Sequence, residues 1–153
     1  MKIVVFSDSH GNSQSMMEIM QREAPEMCIF LGDGYRDIQA VRKAFPACDF
    51  QIVCGNCDRG EAPLQLCIPL GDGYRVFACH GHEYSVKYDR SLMRLCYAAS
   101  EQNADIALYG HTHRAHLEQI SGLYIMNPGT VGQGFYGLIE SDENGLQLTL
   151  NNI

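Results

Sequence analysis

Phe6-Ser7-Asp8-Ser9-His10-Gly11-Asn12 ends the first apolar run of the chain and places a carboxylate and an imidazole two residues apart. Lys2 to Phe6 is rich in β-branched and aromatic residues and is expected to form a buried strand. In extended backbone, residues i and i+2 point to the same side, so Asp8 and His10 can reach one point in space. A hard oxygen beside a borderline nitrogen at a strand's end suits a divalent transition metal.

The arrangement recurs. Asn12 or Ser13 is placed to cap a helix running to about Glu23, with Met16, Met17, Ile19 and Met20 on its apolar face and Pro25 as its stop. Met27 to Leu31 reads as a second strand ending in Gly32-Asp33-Gly34, and Asp37 to Phe45 as a second helix with Ile38 and Val41 inward. Phe50 to Val53 reads as a third strand that runs into Cys54-Gly55-Asn56-Cys57-Asp58. Strand, helix, strand, helix, strand implies right-handed crossovers and a parallel sheet, hence an α/β fold. In such sheets the ligand crevice lies beyond the carboxyl ends of the strands, where all three polar clusters fall.

The second half changes character. Leu64 to Leu70 and Tyr74 to Cys79 read as a hairpin joined by Gly71-Asp72-Gly73, and its second strand ends in His80-Gly81-His82. Tyr88 to Glu101 is expected to be helical, with Leu92, Leu95, Cys96 and Ala99 on one face. Ala104 to Tyr109 reads as a strand and leads into Gly110-His111-Thr112-His113. Short strands are expected around His116–Ile120, Leu123–Met126, Tyr136–Glu140 and Leu146–Leu150. Nothing marks a linker or a repeat, so residues 1–153 are expected to form a single domain.

Composition narrows the function. A chain of 153 residues can bury a sizeable core without staples. The net charge of −7 argues against a nucleic-acid surface, which needs a basic stripe, although bound cations could neutralise part of it. No window approaches the roughly 20 apolar residues of a membrane span, and the N-terminus enters a strand directly, without a leader. The seven cysteines are scattered, mostly in apolar runs, which predicts a reduced, cytoplasmic protein.

Five strand ends thus deliver metal-capable side chains: Asp8 with His10, Asp33, Asn56 with Asp58, His80 with His82, and His111 with His113. A lone histidine after a strand is more often a hydrogen-bonded structural residue. Repeated x-separated polar pairs, with glycine directly before Asp33, Asn56 and His111, are hard to obtain by accident. The ordered set Asp-x-His, Gly-Asp, Gly-Asn-x-Asp, His and Gly-His-x-His resembles the calcineurin-like metallophosphoesterases, and most closely their small, single-domain bacterial and archaeal phosphodiesterases. The resemblance spans Met1 to about Thr130.

It implies an αββα architecture: two facing β-sheets flanked by helices, with a two-metal site along the strand ends. Carried over by position, Asp8, His10, Asp33 and His113 would hold one ion. Asp33, Asn56, His80 and His111 would hold the other, with Asp33 bridging. Mixed nitrogen and oxygen ligands favour manganese, iron, nickel or zinc over calcium or magnesium, and manganese heads that set. Two such ions, roughly 3.5–4 Å apart, can share a hydroxide and clamp the phosphoryl oxygens. The expected reaction is in-line attack on a small phosphodiester or phosphomonoester without a covalent enzyme intermediate.

The chain departs from the family at Cys57, where many relatives have a histidine that helps the leaving oxygen depart. A neutral thiol is a poor general acid. Asp58, which usually orients that histidine, then either assists catalysis or holds the loop. His82 is the expected replacement acid, against the plainer reading of a solvent-exposed loop histidine. Cys54-x-x-Cys57 lacks a second pair and reads as neither a zinc site nor a redox motif. Asn127-Pro128-Gly129-Thr130 reads as a rigid turn in which Thr130 or Asn127 is expected to bond local amides. Arg59 and Arg114 flank the ligands and could meet a phosphate or stay solvated. The competing function is a scaffold, since a retromer subunit keeps this fold for protein binding; the complete ligand set here favours an enzyme. Exposed strands in the C-terminal half leave a homo-oligomer open.

Overall fold

The computed structural model describes residues 1–153. In the first half, β1 (Lys2–Phe6), α1 (Ser13–Glu23), β2 (Met27–Phe30), α2 (Tyr35–Ala44) and β3 (Asp49–Ile52) alternate as the sequence predicts. Strand β1 pairs in parallel with β2, and β2 with β3. Helix α1 starts because the Asn12 side chain accepts the Ser15 amide at 3.1 Å, and ends at Ala24, which takes a left-handed conformation.

The second half supplies β4 (Gln65–Pro69), β5 (Arg75–Cys79), α3 (Met93–Glu101), β6 (Ile106–Leu108), β7 (His116–Ile120), β8 (Leu123–Asn127), β9 (Phe135–Asp142) and β10 (Gly145–Asn152). Two five-stranded sheets result, in the orders β10-β9-β1-β2-β3 and β4-β5-β6-β8-β7. Both are mixed. In the first, β9 runs antiparallel to β1; in the second, β5, β6 and β8 form a parallel centre flanked by antiparallel β4 and β7.

Period-2 alternation sorts the core into layers. Ile3, Val5, Ile29 and Leu31 from the first sheet meet Val76, Ala78, Ile106 and Leu108 from the second. Val4, Phe6, Cys28 and Phe30, on the opposite face of the first sheet, pack under Met16, Ile19, Met20, Ile38 and Val41 of α1 and α2. Phe77, Ala107 and Ile125 pack under Leu95 and Ala99 of α3. The architecture is the expected αββα sandwich, with each fully buried aliphatic side chain contributing about 1.5–3 kcal/mol.

One helix is shorter than its periodicity suggests. Residues 88–92 form turns and α3 begins at Met93. The Asp89 carboxylate accepts from the Ser91 amide at 3.0 Å and the Met93 amide at 3.2 Å, and Leu92 adopts φ +54°. A short acidic side chain capturing nearby amides competes with helix and delays its start. Leu92 is still buried beside Leu95.

Candidate metal centre

All the polar clusters lie at one rim of the sandwich, and they come from both sheets. Asp8 and His10 follow β1, and Asp33 follows β2; His80 directly follows β5, and His111 and His113 follow β6. Two groups result: Asp8 with His10 and His113, and Asp33 with His80 and His111, the ligand-type atoms of each lying within 4.8 Å of one another.

In the first group, the Nε2 atoms of His10 and His113 face each other at 3.3 Å, and Nε2 of His113 stands 3.3 Å from Oδ1 of Asp8. Asp8 is fully buried. Its Oδ2 accepts from the Ser7 hydroxyl at 2.7 Å and the His111 amide at 3.1 Å, whereas its Oδ1 has no hydrogen-bond donor. A buried carboxylate oxygen without a donor is costly unless a cation meets it.

In the second group, Nδ1 of His80 lies 2.7 Å from the carbonyl of Leu31, which can only accept; Nδ1 therefore donates and Nε2 is turned into the site. That Nε2 is 3.2 Å from Oδ2 of Asp33, 3.2 Å from Nδ1 of His111 and 3.8 Å from Oδ1 of Asp8. Asp8 Oδ1 thus lies near both groups, while Asp33 clusters with the second only.

The electrostatics follow from burial and this crowding. Burial works to raise the Asp33 pKa, but the hydrogen bond and charge of His80, with the Cys57 amide, hold it well below the usual carboxylate range. Burial lowers His80, and its Asp33 and Asp8 neighbours more than reverse that, raising it overall. His111 is pushed down to about 4, by burial first and then by His80, which leaves it neutral with a free lone pair at neutral pH. The donor set therefore fits divalent cations: two carboxylates and four imidazoles converge on one rim, with an orphaned oxygen among them.

The remaining expected residues fall around this core. Asn56 is exposed, with its side-chain amide 3.7 Å from the Cys57 sulfur. Asp58 accepts four backbone amides, from Asp33 and Gly55 at 2.8 Å and from Gly34 and Tyr35 at 3.1 Å. Its carboxylate thereby clamps the loop after β2 to the loop after β3. The His82 ring sits 5.5 Å from that of His80 and 6.1 Å from that of His111, with Nδ1 buried and unpartnered. The Cys57 thiol is pushed up by desolvation and by Asp33, so it stays neutral. Arg59, with Arg36, lines a cleft of about 440 Å³ that includes His10 and Asp33; Arg114 faces a separate cleft.

Several supporting groups carry weak sequence signals. The Thr130 hydroxyl donates to the Asp8 carbonyl at 2.6 Å. The Asn127 side-chain amide donates to the Gly110 carbonyl at 3.1 Å and the Thr112 hydroxyl at 3.0 Å, holding the loop that carries His111 and His113. The turn is expected to bond local amides, and one such bond forms, from the Gly129 amide to Asn127 Oδ1 at 2.9 Å; nothing in the sequence marks these longer-range contacts or the Leu31 carbonyl. Glycine also supplies space, since a Cβ on Gly110 would stand 1.9 Å from the Ser7 hydroxyl and 3.0 Å from Asp8 Oδ2.

Comparison with known proteins places the fold in a family. The profile of the calcineurin-like phosphoesterase superfamily domain matches residues 1–141. "Probable metallophosphoesterase YsnB" of Bacillus subtilis is 29% identical over 132 residues, covering 86% of this chain and 75% of its own. Phosphodiesterase YfcE of Escherichia coli is 25% identical over 172 aligned positions, covering 93% and 89%. A crystal structure of a Streptococcus pneumoniae protein described as a predicted phosphoesterase superposes with a TM-score of 0.83 at 25% identity, over 99% of this chain and 88% of that one. Vps29 of Entamoeba histolytica, solved as a zinc complex, shares the fold with a TM-score of 0.78 at 17% identity, over 100% and 98%. The chain belongs to the calcineurin-like phosphoesterase superfamily.

Proposed function

We propose that the protein is a metal-dependent phosphodiesterase acting on a small phosphate ester. The observation that carries the reading is the buried, donor-less Oδ1 of Asp8 between two groups of imidazoles, a position that a bound cation would satisfy. On the family's pattern Asp8, His10, Asp33 and His113 would hold one divalent ion, and Asp33, Asn56, His80 and His111 the other; of these, Asp8, His10 and His113 already lie together, as do Asp33, His80 and His111. When bound, such ions supply Lewis acidity toward the phosphoryl oxygens and an acidified water as nucleophile.

The chain's own residues do the rest by positioning. The Leu31 carbonyl fixes the His80 ring and its tautomer. Asp58 acts as a positioning residue through the amides of Asp33 and Gly55. His82, beside His80 and His111, would deliver a proton to the leaving oxygen, a task for which the neutral Cys57 thiol is unsuited.

Hydrolysis of an aryl phosphodiester with added manganese, zinc or nickel tests the assignment. Turnover is expected to vanish with chelator, return with metal, and fall about a thousandfold in folded His80→Ala, in keeping with several kcal/mol of lost Lewis-acid stabilisation. Full activity in that variant, or in the presence of chelator, would overturn it.

A further inference from the structure

We infer that the cleft beside the segment carrying His111 and His113 is a second anion subsite, shaped for a leaving group that has a planar ring and a phosphate of its own. The inference rests on the proposed phosphodiesterase reading and names the substrate class of that site. The cleft measures about 680 Å³, a size that takes a nucleotide-sized group. Thr112, between the two histidines, and Arg114, directly after His113, both line it, so it opens next to the reacting centre.

Its chemistry departs from the rest of the surface. The chain has 11 lysines and arginines against a net charge of −7, yet Lys87, Arg90 and Arg114 converge on this one cleft. None of the three forms an ion pair and no carboxylate lines this cleft, whereas the cleft of Arg36 and Arg59 and that of Arg42 and Lys43 each include aspartate. The nearby acids are engaged elsewhere. Asp89 is folded back onto the Ser91 and Met93 amides, and Glu118 lies 3.3 Å from Nε2 of His116. Unpaired cations held together in this way repel one another, and an anion relieves that cost.

The aromatic half of the inference comes from Tyr88 and Tyr109. Tyr88 is 90% exposed, the most exposed of the large hydrophobic side chains, and stands among the cations at the mouth. Tyr109 is fixed in the wall by its hydroxyl, 2.9 Å from Nδ1 of His116. An exposed ring in a cleft that is also lined by Lys87, Arg90 and Arg114 offers stacking to a planar ligand and charge to its phosphate.

The test compares a nitrophenyl phosphodiester with its analogue carrying a second phosphate on the leaving ring, using the metal-loaded full chain. kcat/KM is expected to favour the bisphosphorylated ester by tenfold or more, and that ratio should fall at least tenfold in Lys87→Gln/Arg90→Gln. It should not fall in Arg42→Gln/Lys43→Gln, which removes the same charge from α2. A parallel arm titrates phenyl phosphate into chelator-treated protein and follows amide shifts by NMR. Shifts at Lys87–Leu92 support the inference. No preference, a preference surviving in the cleft variant or lost equally in the α2 variant, or shifts only around Arg36 and Arg59 would overturn it. Failure to hydrolyse either ester sinks the phosphodiesterase reading instead, and the NMR arm then decides the anion site alone.

Discussion

A Cβ placed on Gly55 would stand 2.0 Å from Oδ1 of Asp33 and 2.6 Å from its amide nitrogen. The loop after β3 therefore presses its bare backbone against the carboxylate after β2, and the Cys57 amide completes the contact by donating to Asp33 Oδ1 at 2.8 Å. Gly55→Ala must displace Asp33. Manganese affinity is expected to fall between about ten- and a hundredfold, as when other groups supporting a ligand are lost. Calorimetric titration of the folded variant checks this, and wild-type affinity would show that Asp33 is not held as described.

Asp58→Ala removes the acceptor of four amides. With a cost of about 1–3 kcal/mol for each amide left dry, tempered by water reaching this half-buried site, a loss of about 2–4 kcal/mol is expected. Asp58→Asn keeps one accepting oxygen and should lose about half as much. Denaturant melts of the metal-free proteins give both values; a change below 0.5 kcal/mol, on the order of an ordinary surface substitution, would show the clamp to be inconsequential.

Five of the expected ligands hold left-handed backbone: Asp8 at φ +54°, His10 at +43°, Asp33 at +62°, His111 at +70° and His113 at +61°. For residues with a Cβ this conformation costs about 1–2 kcal/mol, partly recovered when glycine replaces them. His113→Gly, at a half-exposed side chain, should raise metal-free stability by about 0.5–1 kcal/mol while reducing metal binding. A drop in stability would mean that the ring contributes more to the apo fold than its backbone costs.

If His82 delivers the departing proton, its removal matters most for poor leaving groups. His82→Ala should slow alkyl diesters by about a hundredfold or more, within the usual range for general acid catalysis, and spare nitrophenyl diesters. Equal losses on both series would assign His82 to structure.

Glu23 gives the fold a pH dependence away from the metal rim. Its pKa is lowered, first by the Lys2 ammonium at 2.7 Å and then by the Tyr136 hydroxyl at 2.7 Å, against the effect of burial. The folded state therefore binds its proton more weakly than the unfolded chain. The stabilisation is present above the unfolded value of about 4.3 and is lost as pH falls through the lower folded value. Glu23→Gln should show a shallower loss of stability between pH 5 and pH 3 in chemical denaturation; an identical slope would dissociate the pair from acid sensitivity.

The first sheet was legible because Ile3–Phe6 and Met27–Phe30 carry unbroken apolar runs, with glycine and aspartate marking their ends. The facing sheet came through the family resemblance, since short strands such as Ile106–Leu108 leave little periodicity to read. The start of α3 was hidden because apolar spacing continues through Leu92 while Asp89 diverts the backbone. At the site, ligand types and order were visible, but the left-handed turns at Asp8 and His10 were not. Non-glycine residues give no local sign of φ above zero, and only the surrounding packing imposes it. Nor could spacing show the anchoring of His80 by the Leu31 carbonyl, which crosses from one sheet to the other.

That the two sheets share the ligands has a mechanical corollary. An ion held as proposed by Asp33, His80 and His111 would rivet the layers together at one rim, while Ile3, Ile29, Ile106 and their neighbours join them below without it. Occupancy should therefore be written in hydrogen-exchange rates along the rim loops, leaving the slow amides of the central strands untouched: a gauge of loading that needs no turnover at all.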